Sequence, residues 1–472
     1  MIRRTIQLFF GPVIALLPIL ALAGLPACVS SGAGRDEAEA LITERTGIRR
    51  DRPEDEETAK LRREILSRPL TADGAARLAV LNNPAVDVGF AELGVARAQL
   101  VSALRLPNPE ASAAVHWHRG KPQVELGATI DITHFLRLAT NQSVASRMLD
   151  AASVDAAGMA MDAALEGKRA FYAYTAARQI LELRRSAAFA LAQSADAAQR
   201  IFDAGNSPSV DAIAERALFE EARLKVARAE VDEVAARERL SLALGLFGEE
   251  SMQTKVPERL AEPPDGELPL ADAERQAVAR SLDLRAWKAR YAAAAGRADL
   301  ASWAWFPEIR GGVTIEREDS VEGWGLGPQV GVGIPLLYQG QGESAAADSM
   351  MAAARARVRG IGISIRTNAR TGSARLRNAR EQAIFYRQTL LPLRQRLVDQ
   401  TQLQFNAMNT GIFQLLMVKR DHIEAGRGYV ESLRDYWTVR AEMEQLLAGR
   451  LVLMTGSSAG SEPIGGPSPV EH

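Results

Sequence analysis

Residues 109–133 read PEASAAVHWHRGKPQVELGATIDIT, and their alternation decides the fold. From Glu110 to His118 and again from Gln123 to Ile132, apolar and polar side chains change places with period two, the signature of strands with one face of each kind. Ala111, Ala113, Val115 and Trp117 share a face with Val124, Leu126, Ala128, Ile130 and Ile132. Glu110, Ser112, His116, His118, Gln123, Glu125, Thr129 and Asp131 share the other. A lone hairpin is marginal in water, so something must cover the apolar face and something wet must meet the polar one.

Everything around this hairpin reads as helix, and it reads so twice. Leu70–Glu110 (LTADGAARLAVLNNPAVDVGFAELGVARAQLVSALRLPNPE) is answered by Leu268–Glu308 (LPLADAERQAVARSLDLRAWKARYAAAAGRADLASWAWFPE). Each copy runs helix, helix, Pro-Glu, strand, turn, strand, long helix, glycine break and return helix, closing near Gly245 or Gly449. In the second hairpin Ile309, Val313 and Ile315 alternate with Arg310, Thr314 and Glu316, and Val330, Val332, Ile334 and Leu336 with Gln329, Gly331, Gly333 and Pro335. The expected strands are 110–118, 123–132, 308–317 and 327–337. Two hairpins are too few for a membrane barrel, which starts at about 8 strands and must close. Several copies together can close one, with apolar faces towards lipid and Glu110, His116, His118, Glu125, Asp131, Arg310 and Glu316 towards a water-filled lumen.

No proline stands between Pro122 and Pro208, and the Ala-rich run from Leu136 to Asp203 would extend ~100 Å as one helix. It carries Arg147, Asp150, Asp155, Asp162, Glu166, Lys168 and Arg169, so it belongs in water. The return helices place Val210, Ile213, Ala217, Leu224, Ala227, Val231 and Val234, and Leu415, Val418, His422, Ala425, Tyr429, Tyr436 and Met443, on coiled-coil spacings. In the second long stretch, Gly360, Gly362, Gly372 and Pro392 should kink or loosen the helix. Gly205 and Gly411 interrupt the long helices where two arms must turn back, a place that favours a residue open to φ > 0.

The N-terminus supplies a compartment. Arg3 and Arg4 precede an apolar run from Ile6 to Leu22 and then LPAC, an export signal ending at Cys28, the only cysteine of 472 residues. That quartet resembles a lipobox, which makes Cys28 the expected site of acylation. Disulfides are excluded. With 47% hydrophobic residues and a formal net charge of -1 the chain can build a core and carries no nucleic-acid footprint. No later apolar run approaches the ~20 residues of a spanning helix.

The boundaries that follow are 1–27 signal peptide, 28–69 charged tether, 70–250 first repeat, 251–269 linker, 270–450 second repeat and 451–472 a Gly, Ser and Pro-rich disordered tail. The turns lie at about 204–211 and 408–417.

No phosphate-cradling Gly loop, His-Glu-x-x-His or Gly-x-Ser-x-Gly elbow occurs, so catalysis is not expected and neither is a cofactor. His116 and His118 stand two apart on a strand, a metal-compatible spacing. With no further ligand close in sequence they read as lumen-facing polar residues. His134, His422 and His472 are scattered, His422 on a packing seam. Met159, Met161, Met350 and Met351 read as helix packing and not as a copper track.

Together the lipidated N-terminus, the duplicated unit, the hairpins and the ~100 Å helices resemble the TolC-like outer-membrane efflux proteins, in particular the lipoprotein branch serving resistance-nodulation-division pumps. NNPAVDVGFAELGVARAQL with SLDLRAWKARYAAAAGRADL, IPLLYQGQGESAAAD, FDAGNSPSVDAIAERAL and MNTGIFQLLMVKRDHIEA carry the resemblance over roughly 60–450. It implies a homotrimer with a 12-stranded barrel in the outer membrane of a Gram-negative bacterium, continued by a periplasmic helical barrel. It further implies docking of a periplasmic adaptor at the tips, around Gly205, Asp211, Gly411, Met417 and Arg420, and cargo from an inner-membrane pump. Family members often carry acids where Met417 and Arg420 stand, whereas Asp211 matches an acidic position. The reading is a passive exit duct for small molecules or metal ions; the rivals are a coiled-coil envelope tether and a duct for type I protein secretion.

Overall fold

The computed structural model describes residues 30, 32–49, 56–118, 121–266, 268, 270–317 and 323–452. In chain order the elements are α1 (Arg35–Thr46), α2 (Glu56–Leu66), α3 (Ala72–Asn82), α4 (Pro84–Ala103), β1 (Glu110–His118), β2 (Lys121–Asp131), α5 (Ile132–Asp203), α6 (Ser209–Leu244), α7 (Gly248–Gln253), α8 (Ala273–Arg280), α9 (Leu282–Ser302), β3 (Glu308–Arg317), β4 (Gly325–Gly333), α10 (Gln341–Phe385), a π-helical turn (Tyr386–Leu390), α11 (Leu391–Asn406) and α12 (Ile412–Ala448). The chain divides into two compact units.

The first unit, residues 1–38, 90–154 and 285–358, holds the strands. They form one antiparallel sheet in the order β1-β2-β3-β4, so the two hairpins pair through β2 and β3 and leave β1 and β4 as open edges. At the foot of the sheet the Asp131 carboxylate accepts from the backbone N–H groups of Thr133 and His134, at 2.8 and 3.2 Å, and so caps α5. The Thr133 hydroxyl accepts from the Ile309 N–H at 2.7 Å, fixing the start of α5 to the start of β3.

The second unit comprises 39–89, 155–284 and 359–472. Its long helices pair side by side. α6 meets α5 through Ser194 Oγ to Glu215 (2.5 Å) and Arg185 to Glu230 (2.8 Å). α5 meets α12 through Arg169 to Glu442 (2.6 Å) and through the Arg184–Glu424 pair. α12 meets α11 through Arg394 and Asp421 (3.4 Å). It meets α10 and α8 in an apolar cluster of Ile365, Ala369, Leu376, Tyr436, Val439, Met443, Leu446 and Ala277. At the end of α12, Arg450 holds Asp162 (2.6 Å) and Asp283 (2.5 Å). Asp162 and Asp283 draw the guanidinium pKa up against the burial that would lower it.

Duplication is visible in the caps. Gly245 and Gly449 both end their helices in the left-handed region, and a Cβ on either would collide with a carbonyl oxygen, that of Asn82 or that of Arg280.

Four expectations need correction. The periodic stripe of α6 is not an internal seam: Val210, Ile213, Leu224, Val231 and Val234 are exposed, and the buried line is Ala222, Ala229, Ala236 and Ala243, one small residue per heptad. Alanine admits the closest helix approach, so α5 selects that stripe. β2 ends at Asp131, with Ile132 already helical, because the Asp131 cap starts the helix there. β4 ends at Gly333, ahead of Pro335, which has no N–H for a ladder. Gly360, Gly362 and Gly372 do not interrupt α10; the irregularity is the π turn directly before Pro392, where the Leu391 N–H reaches the Tyr386 carbonyl and relieves the proline's clash with the preceding turn.

Candidate functional site

Register assigns the two faces of the sheet. Glu110 pairs with Thr129, His116 with Gln123, His118 with Lys121, Glu125 with Glu316 and Asp131 with Arg310, so all seven strand positions expected in a lumen share one face. On that face His116 Nε2 stands 3.5 Å from Glu125, and the Thr314 hydroxyl donates to Glu125 at 3.2 Å. Arg310 bridges Glu110 and Glu308, each at 3.5 Å. Two charged levels therefore lie on one wall, His116–Glu125–Glu316 near the hairpin turns and Arg310–Glu110–Glu308 near the helices.

The same face carries Gly127, Gly312, Gly325, Gly327, Gly331 and Gly333, so β4 contributes only Gln329 as a side chain. This low profile was missed as a feature of the site, although the alternating glycines of β4 announced it. A wall without side chains leaves the space before it open.

The opposite face is apolar and uncovered. Val115, Trp117, Leu326, Val330 and Val332 are exposed, Trp117 at 73% and Leu326 at 75%. Aromatic rings stand at both ends of the strands: Trp117 and Trp324 by the turns, and Trp303, Trp305 and Phe306 before β3, packed ring to ring at 5.7 and 6.1 Å.

In the second unit, the α5–α6 turn is closed by Gly205 at φ +75, its N–H donating to Phe202 O and that of Asn206 to Ile201 O. Asp211 lies in the first turn of α6, where the helix dipole favours a carboxylate. The α11–α12 turn repeats the same hydrogen bonds, but its left-handed residue is Met408 (φ 59), not Gly411. Gly411 is instead the N-cap of α12 with extended backbone (φ -82), so the expectation that this glycine supplies positive φ is wrong. The repeat shows why: Met408, not Gly411, occupies the place of Gly205. Met417 is half exposed on α12, and Arg420 pairs with Asp421 at 3.2 Å. Cys28 lies outside the described residues. Among those residues no group of three His, Cys, Asp or Glu could hold a metal ion, and no helix is long and apolar enough to cross a membrane.

No protein-family model matches the chain, and no curated protein is significantly similar in sequence. Solved structures are similar in fold. A membrane protein from Pseudomonas aeruginosa superposes with TM-score 0.67 at 17% identity over 80% of this chain and 93% of its own. The Campylobacter jejuni CmeC outer membrane channel gives 0.66 at 13% over 80% and 86%. The open state of the Neisseria gonorrhoeae MtrE outer membrane channel gives 0.58 at 16% over 80% and 88%.

Proposed function

We propose, from the fold that this chain shares with TolC-like outer-membrane channels, that it is the exit duct of a tripartite efflux system. The observation that carries the reading is the sheet. Among the described residues its β1 and β4 edges are unpaired, and one face exposes Val115, Trp117, Val313, Leu326, Val330 and Val332. In water both are liabilities; in a bilayer the bare face is wanted and the open edges are not. Pairing the β4 edge of one copy with the β1 edge of the next removes every edge when a ring closes. Three copies of four strands make a twelve-stranded barrel with the glycine-lined polar face inside. The exposed aliphatic stripe of α6 gives the helical part a surface of the same kind to cover.

In that assembly transport is passive. His116, His118, Glu125, Asp131, Arg310 and Glu316 stay hydrated in the duct, and the aromatic residues at both strand ends sit at the two membrane interfaces. The turns at Gly205 and Met408–Gly411, with Asp211, Met417 and Arg420 beside them, meet a periplasmic adaptor protein that brings small molecules or metal ions from an inner-membrane pump. Acylation at Cys28 tethers the chain to the outer membrane. Purified from membranes, the protein should migrate as a heat-dissociable trimer and give discrete conductance steps in planar bilayers. A monomer without conductance would instead favour a coiled-coil tether.

A further inference from the structure

A cavity of about 520 Å³ opens in the second unit between α5, α12 and the segment around Leu260. Its lining has an aromatic side and a charged side. Tyr172, 8% exposed, stacks on Trp437 with ring centroids 5.7 Å apart, and the Trp437 indole N–H donates to Ala261 O at 2.8 Å. Most of the charges are already matched to one another. Lys168 stands between Asp73 (3.2 Å) and Glu444 (3.6 Å), and Arg440 pairs with Glu444 at 3.0 Å and donates to Tyr436 Oη at 3.0 Å.

Two capacities are left over. The Tyr172 ring is buried against Trp437, but its hydroxyl opens on the cavity and makes no hydrogen bond among the described residues. Burial, reinforced by Glu444 and Asp73, raises its pKa, so it stays a protonated donor. Exposed Arg259, at the edge of the cavity, has no ion-pair partner among the described residues. A hydroxyl that opens on the cavity can donate to an occupant, and a guanidinium beside an apolar wall favours a planar anion. A neutral apolar molecule would satisfy neither group, and a cationic one would meet three cationic side chains, Lys168, Arg259 and Arg440, against two carboxylates.

We propose that this cavity binds a small organic anion, a carboxylate or sulfonate on a ring-containing apolar body, with Arg259 and the Tyr172 hydroxyl holding the anionic group. All of these residues belong to one unit, and the proposal stands whether or not the sheet forms a duct.

The test uses the intact protein in detergent and 2-naphthoate as the probe, read by quenching of tryptophan fluorescence. Saturable quenching that is absent in Trp437→Phe is expected. Arg259→Gln and Tyr172→Phe, neither of which removes buried volume, should each weaken binding, the former by about tenfold. The ammonium analogue 2-naphthylmethylamine should not compete. Unsaturable quenching shared with Trp437→Phe, wild-type affinity in both Arg259→Gln and Tyr172→Phe, or displacement by the ammonium analogue would each overturn the proposal.

Discussion

Gly205 and Met408 hold the same left-handed position in the two turns of the second unit, yet only one of them is a glycine. An L side chain in that region costs about 1 to 2 kcal/mol. Gly205→Ala should therefore lower stability by about 1 kcal/mol, whereas Gly411→Ala, at an extended N-cap, should change it by less than about 0.5 kcal/mol. Thermal unfolding of the two variants side by side checks the assignment; equal losses would contradict it. Sequence could mark that a glycine stood near each turn, but not which residue takes the left-handed angle, because a methionine there leaves no compositional trace. Arg450 is a second residue that sequence left silent. Its partners Asp162 and Asp283 are 288 and 167 positions away, a pairing no local pattern announces. Arg450→Ala removes the guanidinium from the buried Asp283 and the half-exposed Asp162, which keep one hydrogen bond each, from the Leu451 N–H and from Gln445, and should cost about 1 to 3 kcal/mol by denaturant unfolding. A loss under 1 kcal/mol would mean that water serves those carboxylates equally well.

Among the elements, the strands were legible because period two is a local signal and each face has one environment to satisfy. The α6 seam was not, since heptad spacing says which residues share a stripe but not which stripe faces the same chain. Here the larger aliphatics of α6 face outward, while the equivalent stripe on α12, with Leu415, Val418, Tyr436 and Met443, is buried. A lysine at Val330 or Val332 on the bare face of β4 should cost ~2 to 4 kcal/mol in a bilayer-inserted protein if it sits near the midplane, and lysine at Thr129 on the polar face should be tolerated. Refolding into phosphatidylcholine vesicles measures both. The tie between α5 and α12 gives a pH dependence. Burial would raise the Glu424 pKa, but the hydrogen bond from Arg427 and the charge of Arg184 outweigh it and hold the carboxylate below its usual range. A lowered folded pKa stabilises at neutral pH, and that contribution disappears as pH falls through the carboxylate range. The difference in melting temperature between the wild type and Glu424→Gln should therefore shrink on acidification; a constant difference would show that Glu424 acts by shape alone.

For the whole molecule, nothing within one chain spells out how many copies assemble. What the chain does show is need: four strands with two open edges, a face of exposed Val, Leu and Trp, and a helix with an uncovered aliphatic stripe. The duplicated unit could be read from sequence because both halves keep the same punctuation. That two hairpins are too few to close a barrel was legible too, from their number; that they pair with each other through β2 and β3 and leave β1 and β4 as edges was not, because pairing order is a property of the folded sheet. The claim that these edges pair between copies to make a water-filled duct through lipid is tested most directly by labelling single cysteines in cells, in a Cys28→Ser background. One cysteine replaces Thr129 on the polar face and the other Val330 on the apolar face, and a water-soluble maleimide that does not cross lipid is applied. The account predicts that the Thr129 position reacts and the Val330 position is protected until detergent is added. Equal labelling at both positions in intact membranes would mean that the hairpins stand in water, and would contradict it.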